Sequence, residues 1–148
     1  MADYWKSGMF TFILNKMDEL IKTGRQRTIL ISIGILLVSI HTIYFYHAAW
    51  PGIEITKLIQ QGIRFLLTTG LLIITYKGKK WARITSIVLF SLAILGAVFG
   101  LATIEGSIVN KIPFLVMVFI YSLAVYHFAV SKSYKAFFEF QNMEKTES

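Results

Sequence analysis

The residues of this chain best placed to do chemistry are Lys57, Gln61, Arg64, Thr68 and Thr75. Counted from Lys57 they fall at offsets of 4, 7, 11 and 18, and a helix of about 3.6 residues per turn gathers those offsets into one narrow sector. Arg64 stands inside an apolar stretch, roughly 9 Å below its outer boundary at about 1.5 Å per residue. A guanidinium at the centre of a membrane helix costs roughly 2.5 to 3.5 kcal/mol, less near an end, so something must compensate it. The side chain either snorkels outward to headgroups, or the stripe faces other helices or a wet cavity and finds a counter-charge. Glu54 and Glu105 are the outer-side carboxylates available to pair with Arg64. The chemistry on offer is attraction of an anion, either a structural partner or a ligand.

Other reactive residue types are sparse. The chain has no cysteine, which removes thiol chemistry and disulfides together. HExxH, GxSxG and intramembrane carboxylate pairs are absent, and Gly78-Lys79-Lys80 lacks the glycine spacing of a phosphate-binding loop. His41 and His47 are six residues apart, which separates them by about 120° around a helix and roughly 9 Å along it, too far to share an ion. His127 belongs to a different depth, so paired haem ligation is not expected. These absences predict a non-enzymatic protein with no cofactor and no metal site.

The elements that must carry these residues are apolar throughout. Residues of the AVILMFWYC set make up 55% of the 148, charged residues only 16%, and mean hydropathy is +0.62. Four stretches, at about 28–50, 58–76, 82–104 and 112–131, each reach the roughly 20 residues needed to bridge a hydrocarbon layer. None alternates apolar and polar as a membrane barrel strand would. The fold class expected is all-α: a single up-down bundle of four transmembrane helices in one domain, residues 1–148.

Basic residues orient the bundle. Lys6, Lys16, Lys22, Arg25 and Arg27 precede the first span, Lys77, Lys79, Lys80 and Arg83 join the second and third, and Lys132, Lys135 and Lys145 follow the fourth. The other two loops hold only Lys57 and Lys111, which places both termini in the cytoplasm. The localisation expected is a cell membrane of the bacterial inner-membrane kind. The net charge of +7 then reflects topogenic charge beside anionic lipid rather than nucleic-acid binding.

Finer features complete the expectation. Residues 8–23 read as an amphipathic interfacial helix, with Asn15, Asp18, Glu19 and Lys22 on one face and Phe10, Ile13, Leu14, Met17, Leu20 and Ile21 on the other. Gly24 would stop it before the first span. Asn110 and Pro113 suit the start of the fourth helix. Ala82, Ser86, Ala93, Ala97 and Gly100 share one face of the third, where Gly96 and Gly100 form a GxxxG that lets helices approach closely. Residues 132–148 form a cytoplasmic tail.

The function expected is helix–helix association, with a second copy or another membrane protein, as an accessory, immunity or effector-type subunit. A small oligomeric channel or transporter, its anion-attracting path lined by the Lys57–Thr75 stripe, is the alternative. A third reading is lipid binding through the basic inner surface and the aromatic tail of Tyr134, Phe137, Phe138 and Phe140.

Overall fold

The computed structural model describes residues 2–49, 55–103 and 108–144 as five helices: α1 (Ala2–Ala49), α2 (Ile55–Tyr76), α3 (Lys80–Thr103), α4 (Ile108–Ala129) and α5 (Lys132–Glu144). Within them Thr11–Tyr44, Ile55–Tyr76, Lys80–Thr103 and Lys111–Ala129 are long and apolar enough to cross a membrane. The ends of α2, α3 and α4 fall within four residues of the expected spans. The start of α4 moves earlier, so Pro113 lies inside the helix rather than in its first turn. Its missing N–H leaves the Val109 carbonyl without an intrahelical donor.

Short turns fold the helices back on one another. Gly78 takes a φ of 74°, a left-handed geometry that a Cβ would penalise. That lets Gly78 N–H bond the Thr75 carbonyl at 3.1 Å and Lys79 N–H bond the Ile74 carbonyl at 3.4 Å, the paired bonds that close a helix C-terminus. The Lys79 carbonyl then accepts from Arg83 N–H at 3.2 Å and opens α3. Residues 130–131 alone separate α4 from α5, and the Ser131 carbonyl accepts from Lys135 N–H at 3.1 Å, a usual place for serine.

The helices α1 to α4 form an antiparallel ring. Thr75 meets Ser86 across α2 and α3 at 3.0 Å, Phe90 stacks on Tyr121 across α3 and α4 at 5.4 Å, and His127 of α4 meets Thr28 of α1 at 3.0 Å. The broadest pairings are α3 with α4 and α1 with α5, whereas α2 touches its neighbours least. Ile35, Leu72, Phe90, Tyr121, Ala124, Phe128, Tyr134, Phe137 and Phe138 form the core. It is concentrated at the end where the α2–α3 turn, the end of α4 and α5 meet, hereafter the basic end. Outward faces carry Leu37, Leu66, Leu95, Phe99 and Phe119, each more than 60% exposed, a surface suited to hydrocarbon rather than water.

One expectation needs correction. Gly24 does not stop a helix: α1 runs unbroken for 48 residues, about 72 Å. Gly24 instead lets α5 approach, because a Cβ there would strike the Ser133 carbonyl and Phe137 Cβ. Residues 132–144 are helical and lie along α1, with Tyr134, Phe137 and Phe138 buried and only Phe140 of the four aromatic residues exposed. Upstream of that contact Phe12, Ile13, Leu14 and Met17 are uncovered.

Candidate functional site

All five members of the polar stripe lie on α2, but only three of them line a common cavity. Gln61, Arg64 and Thr68 line a cavity of about 300 Å³ with Ser39, Thr42 and Ile43 of α1, Phe65 of α2, and Phe114, Met117 and Tyr121 of α4. Lys57 is exposed and outside that lining. Thr75 lies eleven residues beyond Arg64 and is fully buried at the basic end, where it bonds Ser86. Eleven residues of helix are about 16 Å, so sharing a face does not mean sharing a depth.

The cavity is polar in a particular sense. Thr42 donates its hydroxyl proton to the Val38 carbonyl at 2.8 Å, and Thr68 donates to the Arg64 carbonyl at 2.8 Å. Each hydroxyl therefore offers the cavity an acceptor only. The Tyr121 and Ser39 side chains line the same cavity as Arg64. Arg64 is the one charged residue lining the cavity among those described. Its expected partners Glu54 and Glu105 lie outside the described residues, and the described acidic residues, Asp3, Asp18, Glu19, Glu139 and Glu144, all belong to the N-terminal part of α1 or to α5. Toward the basic end Ile35, Leu72 and Phe90, all under 6% exposed, close the interior with apolar packing.

A second polar cluster, at the basic end, has no pattern in the sequence that announces it. Thr28 donates to the Gly24 carbonyl at 2.7 Å, which spends its only proton. With that proton engaged, Thr28 Oγ1 can accept from His127 Nε2 across 3.0 Å in the tautomer that carries its proton there. His127 packs edge-on against Tyr134 with ring centroids 5.2 Å apart. Arg83 donates from Nε to the Phe128 carbonyl at 2.8 Å and from Nη2 to the Ala129 carbonyl at 3.3 Å, satisfying orphan acceptors at the end of α4. Its guanidinium carbon also sits 5.5 Å from the ring centroids of both Tyr134 and Phe138. The Tyr134 hydroxyl is buried with no hydrogen-bond partner among the described residues. Burial pushes its pKa up to about 12, against the opposing pull of Arg83.

The small residues of α3 differ in their surroundings within the bundle. Ala82, Ser86 and Ala97 are buried and Ala93 packs against the core. A Cβ on Gly100 would press on the Phe114 ring at 2.6 Å, whereas Gly96 has nothing within 4 Å. The face turned to α4 thus uses Gly100 without its GxxxG companion. Of the histidines, His41 is exposed, and the side chain of His47 lies outside the described residues. Comparison with protein-family models, with curated proteins and with solved structures finds no match for this chain.

Proposed function

We propose that this chain is a small non-enzymatic integral membrane protein, both termini cytoplasmic, that acts through helix–helix association along α2, with a second copy or another membrane protein. The observation that carries the reading is the incomplete packing of α2. Its only buried residues are Leu72 and Thr75, at its basic end. Ile59, Ile63, Leu66 and Leu67 stay uncovered beside exposed Arg64. Between helices in hydrocarbon, packing and polar contacts rather than hydrophobic expulsion drive association, and an uncovered guanidinium is the group that gains most from a partner.

The absence of cysteine makes the test clean. Leu67→Cys on α2 and Leu95→Cys on α3 present single thiols from equally exposed positions, 68% and 66%. Oxidation in native membranes is expected to cross-link the α2 variant, to itself or to a defined partner carrying its own thiol, and not the α3 variant. A monomer in mild detergent, with no adduct from any exposed α2 position under oxidant or a bifunctional thiol reagent, would overturn the reading.

The cavity favours a second reading, in which Arg64 attracts a small anion for transport. The apolar layer of Ile35, Leu72 and Phe90 closes the interior of one bundle, so a path would run between copies or require that layer to part. Chloride flux from proteoliposomes that falls in Arg64→Ala supports this reading, and absence of flux from the wild type removes it.

A further inference from the structure

The geometry points to a binding site for a phosphate-bearing headgroup in the groove between the first turn of α3 and α5. The groove, about 690 Å³, is lined by Lys80 and Arg83 of α3 and by Lys135, Phe138, Glu139, Asn142 and Met143 of α5. It lies at the other end of the bundle from Arg64 and does not depend on the association of α2.

Charge, rigidity and depth argue for phosphate together. Lys80, Arg83 and Lys135 set against Glu139 leave a net charge of three minus one, or +2, in one groove. Arg83 is held in place by the carbonyls of Phe128 and Ala129 and by the rings of Tyr134 and Phe138. A guanidinium already immobilised loses little freedom when it binds an oxyanion. The two lysines are exposed and reach in as adjustable point charges. Lys80 is the first residue of a helix apolar enough to span a membrane, and exposed Trp81 follows it. That is the level at which headgroup phosphates and interfacial tryptophans are found. Phe138 and Met143 supply an apolar wall for the part of a lipid next to its phosphate. This position makes an anionic phospholipid the source of the phosphate.

The experiment uses the full chain in mild detergent, with phosphatidylglycerol or phosphatidylcholine titrated in and bound lipid counted by native mass spectrometry. The wild type is expected to prefer phosphatidylglycerol. Lys80→Gln with Lys135→Gln should weaken that binding about thirtyfold, from the loss of two near-surface cations, while Lys80→Arg with Lys135→Arg should retain it. Lys22→Gln with Lys132→Gln removes the same charge from exposed positions outside the groove, and should change binding by less than about threefold. Inorganic phosphate that displaces the lipid, with the same dependence on Lys80 and Lys135, would support the phosphate site with free phosphate as its ligand; failure to displace assigns the site to lipid. Equal losses in both glutamine pairs, loss in the arginine pair, or no preference over phosphatidylcholine would overturn the proposal.

Discussion

Gly24 and Gly96 are alike in sequence and opposite in consequence. A Cβ on Gly24 would meet the Ser133 carbonyl and Phe137 Cβ, atoms close to the α5 backbone that cannot swing aside. Gly24→Ala is therefore expected to cost about 1 to 3 kcal/mol, as overpacking does. Gly96 faces open space, so Gly96→Ala should be neutral or gain up to about 1 kcal/mol from helix propensity. Melting in detergent separates the two, and equal losses would contradict the assignment of Gly24 to the α5 contact. At Tyr134 the folded pKa of about 12 lies above the ordinary 10.0. The unfolded chain then releases this proton first, so the contribution of the neutral hydroxyl is intact below pH 10 and is lost as pH rises to about 12. Tyr134→Phe should flatten the fall in stability across that window. At neutral pH it should leave stability unchanged or raise it by about 1 kcal/mol, because the buried hydroxyl has no partner to lose among the described residues.

At the scale of the element, α5 is where sequence and structure diverge most. Its aromatic residues read equally well as lipid-seeking, because Lys132, Lys135 and Glu139 interrupt them and no long apolar run marks the segment. What buries them is the meeting of three helices: Tyr134 packs on His127 and Phe128 of α4, Arg83 of α3 lies over Tyr134 and Phe138, and glycine at position 24 of α1 opens the space that Phe137 and Ser133 occupy. Phe137 is 2% exposed and its ring lies 5.4 Å from that of Tyr76. Phe137→Ala is expected to cost about 3 to 5 kcal/mol and to release α5. Brief trypsin digestion, cutting after Lys132 or Lys135, should then shorten the variant well before the wild type; equal digestion rates would mean that α5 is not held by this contact. The extents of α2, α3 and α4 were legible in advance, because a span is set by a local run of apolar residues. The continuity of α1 was not, since glycine at a helix terminus and glycine at a close helix contact look the same in a linear chain.

For the molecule as a whole, Arg64 distinguishes a charge needed for folding from one kept for association. It makes no contact with a described carboxylate and is exposed at the cavity. Arg64→Leu is accordingly expected to leave the melting temperature of the isolated bundle unchanged or higher, while reducing cross-linking through α2. Unfolding of this variant would assign Arg64 a structural role instead. The sequence by itself determined the helical class, the number of long apolar helices, the segregation of basic residues and the common helical face of Gln61, Arg64 and Thr68. All of these follow from composition and from a 3.6-residue period acting within one segment. Tertiary structure alone decided that Thr75 parts from Arg64, that His127 meets Thr28, that Arg83 caps α4 and that α5 covers Gly24. The contacts among these join residues from 45 to 113 positions apart, and only the packing of one helix against another, at a particular depth and rotation, brings them together.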